Sequence, residues 1–185
     1  MSQSGAWCLE RYRPLLRLQA RHLCLNPRLK RLFDSSDLVQ DTYERAVARL
    51  HQFKGTTEAE LVAWLRVILQ NIFNDQIDKH EKEIGHLHLA NIVEESSARL
   101  IELAHANNTP PSQQAEREES LLQLAEAIGN LKQDYQDVII YHYLEMLPVA
   151  DIAQNMGRTE KSVAGLLLWA RQKLREELSR FRKEP

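Results

Sequence analysis

The sequence predicts an all-α protein made of two small helical domains joined by a flexible linker. Leu, Ala, Glu, Gln, Arg and Lys fill long stretches at helical spacing, and the alternation of β-branched and polar residues typical of strands is absent. The adjacent Pro110 and Pro111 interrupt the helical pattern. We therefore predict a first domain over residues 1–80, a linker over 81–111 and a second domain over 112–185, each domain with its own core.

Three amphipathic helices are predicted in the first domain, enough for a three-helix or four-helix bundle. Apolar side chains at helical spacing define the first helix between residues 12 and 23, and Pro27 ends it nearby. The second helix begins at Ser36, a good N-cap, and its apolar face extends to residue 50. The third helix runs over about 58–80. Three such helices can bury a shared core.

The second domain is expected to end in a helix-turn-helix. Asp134 and Asp137 are spaced like a capping pair that opens a helix after the one over 121–128. A short helix then runs from Pro148 to Gly157, and a long one follows over 160–178. Four apolar residues are predicted to pack between these last two helices: Ile152, Ala153, Val163 and Leu167.

A helix-turn-helix of this kind predicts which residues meet DNA. Residues at the start of the second helix would enter the major groove, namely Arg158, Thr159, Glu160, Lys161 and Ser162. Three cations further along that helix would lie near the duplex backbone, namely Arg171, Lys173 and Arg175. The alternative is that these charges form only a solvated helix face.

Charge is distributed unevenly along the chain. The net charge of −2 argues against a protein that coats nucleic acid indiscriminately. Both ends are nevertheless basic, and the acidic residues concentrate between them. This pattern indicates two separate contacts with a polyanion.

Catalysis, cofactors, metals and a membrane are not expected. The sequence contains no Gly-rich phosphate loop, zinc-protease motif or nucleophile elbow. Cys8 and Cys24 have no metal-ligand spacing, and His86 and His88 lack a third ligand nearby. Charged residues interrupt the N-terminus where a signal peptide needs an apolar core, and no apolar run reaches the roughly 20 residues of a membrane span. We therefore predict a cytoplasmic protein that is not an enzyme.

Two sets of motifs, in this order, resemble the extracytoplasmic-function (group IV) sigma factors of the sigma-70 family of bacterial RNA polymerase. Their region 2 resembles the runs Asp37 to Thr42, Phe53 to Gly55, Ala63 to Arg66 and Asn71 to Asp75. Their region 4 resembles positions between 131 and 175, including Asp151 to Ala153 and Met156 with Gly157. The runs over 55–61 and 163–167 are most similar to a subfamily seen in planctomycete-type bacteria.

The resemblance implies a sigma factor that binds core RNA polymerase, recognises the minus-10 and minus-35 promoter elements and initiates transcription. In such factors the helix that begins the first motif docks on a basic coiled coil of the polymerase. The implied contact residues here are Asp37, Gln40, Asp41 and Glu44. A merely solvated acidic face is the alternative. An anti-sigma protein is a further candidate partner.

The same resemblance implies a minus-10 site on the third helix and on the loop before it. Arg66 and Lys79 would lie near phosphates, and Asn71 and Asn74 near bases of the melted strand. The loop over 53–57, which contains Phe53 and Lys54, would form a pocket for a flipped base. Phe53 and Trp64 could stack on bases, but both occupy apolar positions, and Trp64 is better placed for the core.

One departure from the family concerns the second helix of the helix-turn-helix. Ala164, Gly165 and Leu166 stand where members commonly carry Lys, Ser and Arg, which removes two cations from the minus-35 surface. Two other functions stay open at this point. One is a helical adaptor that binds polymerase or a regulator without reading DNA, and the other is a plain helix-turn-helix repressor.

Overall fold

The computed structural model describes residues 7–25, 29, 33–80, 99 and 114–181, and these residues contain helices and no strand. Apart from Arg99, the predicted linker lies outside them. Seven α-helices are described: α1 (Arg13–Cys24), α2 (Ser35–Arg49), α3 (Glu58–Lys79), α4 (Gln114–Gly129), α5 (Gln133–Ile139), α6 (Val149–Met156) and α7 (Glu160–Phe181). Short 3-10 turns precede α1 and follow α2, and a π-helical turn, Ile140–Leu144, follows α5. The all-α prediction is confirmed.

Local sequence explains where the helices of the N-terminal half begin. Pro14 lies in the first turn of α1, where its missing N–H costs nothing. The cap of α2 is Asp34 rather than the predicted Ser36, because the Asp34 carboxylate accepts a hydrogen bond from the Ser36 backbone N–H at 2.8 Å. A reciprocal capping box between Thr57 and Glu60 starts α3.

The core of the N-terminal half lies between α1, α2 and α3. Leu15 and Leu16 of α1, Leu38 of α2 and Leu69 of α3 all belong to one buried cluster. Phe73 is completely buried there. A side chain of that size at the centre fixes the spacing of the helices around it.

The helix-turn-helix of the C-terminal half is present. Gly157 ends α6 with φ 62° and ψ 37°, a left-handed conformation that strongly favours glycine. Ile152 and Ala153 of α6 and Val163 and Leu167 of α7 are buried, as predicted. The predicted capping pair is wrong, because the residue that precedes α5 is Lys132 and no side chain caps that helix.

We had expected each half to bury its own core, but the two halves share one core. Helix α4 packs along α1 and also touches α3, and the buried apolar side chains of both halves form one continuous cluster. Polar bonds join the same surfaces, among them the ion pair between Arg21 of α1 and Asp137 of α5. In this structure α1 therefore serves the core of both halves.

Candidate nucleic-acid and protein interfaces

The acidic face of α2 is formed by Asp37, Gln40, Asp41 and Glu44. All four side chains are exposed, and their spacing of three or four residues places them on one side of the helix. The Gln40 side-chain amide donates to the Glu44 carboxylate at 2.8 Å. Because Leu38, Val39, Thr42 and Ala46 are buried on the other side, the sequence fixes which face can meet a basic partner.

An aromatic cluster borders the loop between α2 and α3. The Phe53 ring lies between Trp7, in an edge contact at 5.9 Å between centroids, and Trp64, at 5.3 Å. Phe53 and Trp64 are both partly buried. Gly55 fits against this ring so closely that a Cβ there would lie 2.2 Å from Phe53 Cζ. The exposed side chain of Lys54 extends from the same loop.

The predicted minus-10 residues of α3 do not form a single row. Asn71 and Asn74, one turn apart, are both exposed, and Asn74 accepts a hydrogen bond from Gln70 at 2.9 Å. Lys79 is exposed at the end of the helix, whereas Arg66 is half-buried on a different side. We had not singled out Val67, which is 57% exposed one turn before Asn71. None of the buried apolar residues of α3 lies three or four positions from Val67, and this spacing was the available signal in the sequence.

The turn of the helix-turn-helix holds Arg158 in a defined position. One of its guanidinium nitrogens lies 2.6 Å from an Asp134 carboxylate oxygen, so α5 supports the residue that begins the predicted groove contact. The Thr159 hydroxyl accepts a hydrogen bond from the Ser162 backbone N–H at 3.2 Å at the start of α7. Glu160, Lys161 and Ser162 are exposed immediately after it.

Further along α7, the three predicted backbone-binding cations divide between two sides of the helix. Arg171 and Arg175 share a face with Lys161, as their spacing in the helix requires. Lys173 points elsewhere and lies 2.7 Å from the Glu176 carboxylate, and this hydrogen bond raises the pKa of Lys173. The helix thus presents Arg171 and Arg175 together, without Lys173.

The exposed surface of α7 also carries apolar side chains that we did not predict as part of the site. Leu168, which is 67% exposed, and Ala164, one turn earlier, lie on the side of Arg171 and Arg175, whereas Trp169, which is 53% exposed, lies one turn before Lys173 on the other side. The buried positions Val163, Leu167, Ala170 and Leu174 leave these residues on the outside of the helix. That spacing, visible in the sequence, was the signal for an exposed apolar patch.

A cavity of about 670 Å³ lies between parts of the two halves. Arg13, Arg17 and Arg21 of α1, together with Asp37 and Gln40 of α2, line it from the N-terminal side. The opposite wall consists of seven residues between positions 125 and 136, from α4 and the start of α5. Asp37 and Gln40, which belong to the acidic face of α2, therefore lie across this cavity from the C-terminal half.

Within the described ranges, no group of three His, Cys, Asp or Glu side chains could hold a metal ion. The helices described are also too short or too polar to cross a membrane.

Comparisons with known proteins agree with the order of the two halves. Residues 8–83 match the family model for sigma-70 region 2, and residues 121–174 match a model for sigma-70 region 4. The chain is 26% identical over 141 residues to the ECF RNA polymerase sigma factor SigM of Bacillus subtilis, which covers 76% of this chain and 77% of that protein. It is 28% identical over 147 residues to the probable RNA polymerase sigma factor RfaY of Xanthomonas campestris, covering 78% of this chain but 34% of that longer protein.

Proposed function

The chain belongs to the sigma-70 family, as an extracytoplasmic-function sigma factor that initiates transcription, and we propose here how its surfaces divide that work. Family membership implies core RNA polymerase and promoter DNA as its partners.

The acidic face of α2 is our proposed contact with the polymerase. The supporting observation is that Asp37, Gln40, Asp41 and Glu44 are all exposed on one side of a helix whose other side is buried. Such a face has a fixed position and can complement a basic coiled coil. A flexible acidic loop of the same charge would not hold the four groups in register.

The DNA contacts are proposed to divide between α3 and α7. On α3 and the loop before it, Phe53, Lys54, Arg66, Asn71, Asn74 and Lys79 would bind the minus-10 element. On α7 and its preceding turn, Arg158, Thr159, Glu160, Lys161, Ser162, Arg171, Lys173 and Arg175 would bind the minus-35 element. Lys173 has the weakest support in this set, because it lies on a different side of α7 from Arg171 and Arg175 and pairs with Glu176.

Four finer points are also part of the proposal. The domain boundaries are 1–80 and 112–185, with 81–111 as the linker. The protein acts in the cytoplasm without catalytic activity of its own, and no membrane takes part. An anti-sigma protein is a further candidate partner. We also propose that the chain belongs to the planctomycete-type subfamily.

A core-polymerase pull-down followed by run-off transcription tests the function. A sigma factor binds core and supports run-off from a promoter, whereas an adaptor binds core without run-off, and a repressor binds duplex DNA without core. Within this assay Asp41→Arg should weaken core binding at least tenfold, because it places a cation against a basic partner. The matched control is Asp151→Arg, which makes the same charge change at an exposed site on α6. Equal core affinities of the two variants would disprove the α2 assignment.

A further inference from the structure

We propose that α7 recognises thymine methyl groups in the minus-35 element through an apolar strip formed by Ala164, Gly165 and Leu168. This inference rests on the function proposed above and adds to it the kind of base pair that the helix recognises. An A·T pair presents the thymine C5-methyl group in the major groove, where an apolar side chain can contact it without a hydrogen bond.

The apolar strip lies in the middle of the exposed face of α7. Leu168 is 67% exposed and does not belong to the core cluster, and Ala164, one turn earlier, is exposed as well. Gly165 lies beside them, because the three positions fall within roughly 100° around the helix axis at about 3.6 residues per turn. Leu168 therefore contributes little to the stability of the fold, and its surface is available to a partner.

Gly165 gives an independent reason to expect a close partner at this face. Glycine inside a helix is destabilising relative to alanine, and Gly165 lacks the positive φ that favours glycine at Gly157. A Cβ at Gly165 would meet nothing within 4 Å beyond its chain neighbours and the backbone of its own helix, so no described residue requires the missing side chain. The space serves something outside the fold, such as a groove floor that the helix backbone approaches closely.

The charges around the apolar strip identify that partner as DNA. Lys161 precedes the strip, and Arg171 and Arg175 follow it on the same face of α7. None of the described side chains forms an ion pair with any of these three cations. Cations at both ends of an apolar centre complement a major groove, because base edges form the groove floor and phosphates line both of its edges.

The size of the apolar strip argues against a protein as the occupant. A stable protein interface buries about 800 Å² on each partner, far more than one leucine, one alanine and one glycine provide. Trp169 is 53% exposed, but it is adjacent to Leu168 in sequence and therefore lies about 100° further around the helix. It extends the exposed apolar surface away from Arg171 and Arg175 rather than enlarging the strip between the cations.

The length of the apolar strip limits how many base pairs it can contact. Seven residues separate Lys161 from Leu168, which is about 10 Å along the helix at about 1.5 Å per residue. This distance corresponds to about three base pairs at roughly 3.4 Å each. Arg171 and Arg175 lie about 4 and 10 Å beyond Leu168, where the helix can reach phosphates instead of bases. We therefore expect the recognised thymines to lie within a run of about three base pairs.

Deoxyuridine tests the proposal, because it differs from thymidine only in lacking the C5-methyl group. Duplexes are first selected for binding to the full chain with core polymerase, from a library randomised over the minus-35 element. The selected elements should contain thymine within a run of about three base pairs. Replacement of these thymines by deoxyuridine should weaken binding roughly fourfold for each methyl group removed, as the burial of one such group predicts.

Two variants of α7 connect this effect to the apolar strip. Leu168→Ala should bind the thymine and uracil duplexes with nearly equal affinity, because the side chain that contacts the methyl group is shortened. Met146→Ala is the matched control and should keep the wild-type ratio, because Met146 is 68% exposed but lies before the helix-turn-helix. Gly165→Ala should raise the urea midpoint yet weaken binding to the selected duplexes about tenfold, since its Cβ keeps the helix from the groove floor. A purely structural role would not combine higher stability with weaker binding.

The outcomes separate this proposal from the proposed function, which run-off transcription from the selected duplexes tests. Equal wild-type affinity for the thymine and uracil duplexes would overturn methyl recognition, even if run-off succeeds and the proposed function stands. Full discrimination retained by Leu168→Ala would also overturn it and leave the strip to a protein partner. Discrimination that Leu168→Ala abolishes, without run-off from any selected duplex, would support methyl recognition and overturn the proposed function.

Discussion

Arg158 and Asp134 form an ion pair, at 2.6 Å, between the turn of the helix-turn-helix and the start of α5. The pair positions a guanidinium group immediately before α7, where a groove-reading helix begins. Arg171, by contrast, lies three turns further along, and none of the described side chains forms a hydrogen bond or ion pair with it. The two arginines are therefore expected to play different parts in binding DNA.

Arg171→Ala should weaken binding to all duplexes alike and reduce the slope of log affinity against log salt by about one, because one phosphate contact is lost. Arg158→Ala should instead change sequence preference. It should cost on the order of 1–3 kcal/mol on the promoter and much less on a scrambled duplex. Fluorescence anisotropy of holoenzyme across a salt series makes the comparison. The distinction fails if both substitutions act identically on both duplexes.

Gly157→Ala should destabilise the protein by about 1 kcal/mol. Nothing lies within 4 Å of the added Cβ, so the cost is the left-handed backbone conformation itself, at φ 62°. Gly165→Ala is the matched control, because its Cβ also meets nothing but the residue lies within α7, where alanine should stabilise by about 0.5–1 kcal/mol. Urea midpoints give both values, and the prediction requires that the two changes have opposite signs.

The two cysteines should react very differently with iodoacetamide. Burial raises the pKa of the Cys24 thiol to about 12, so almost none of it is thiolate at pH 8, and its side chain is also inaccessible. Cys8 is exposed. Mass spectrometry of the native protein should find Cys8 alkylated and Cys24 intact, and urea should make both react. Rapid labelling of Cys24 in the native protein would contradict its burial.

Much of this fold could be predicted from local sequence, because helix periodicity and turn chemistry act over a few residues. The α6–Gly157–α7 turn and its four buried residues follow from such signals. Asp137 shows the limit of local reasoning. Its spacing from Asp134 resembles a capping pair, but it binds Arg21 from the other half of the chain. Contacts between halves depend on three-dimensional docking, which no local pattern specifies.

In the candidate sites, too, local sequence predicts some features, while others depend on how the helices pack. The exposure of Asp37, Gln40 and Asp41 could be predicted because they alternate with buried positions on one helix. Lys173 has the residue type of a DNA contact, yet it faces away from Arg171 and pairs with Glu176. The sequence places both cations on α7, but the buried face of the helix determines which of them can meet a common partner.

Gly55→Ala should displace the Phe53 ring and impair promoter melting. The added Cβ would lie 2.2 Å from Phe53 Cζ and 2.9 Å from Glu60 Cβ, closer than such atoms approach each other. Phe53 cannot simply rotate away without losing its contacts with Trp7 and Trp64. Because the same loop is the proposed pocket for a flipped base, the ring and the pocket should be disturbed together.

Two measurements separate the local effect from the functional one. Tryptophan fluorescence should shift in Gly55→Ala, since Trp7 and Trp64, two of the three tryptophans, contact the displaced ring. Permanganate reactivity of promoter thymines in holoenzyme should fall, while core affinity stays at the wild-type value because the α2 face is untouched. Phe53→Leu is the comparison, because it keeps an apolar side chain without the ring and leaves Gly55 in place. If Gly55→Ala shifts the fluorescence but melts the promoter as well as the wild type, the loop contributes packing and the flipped base binds elsewhere.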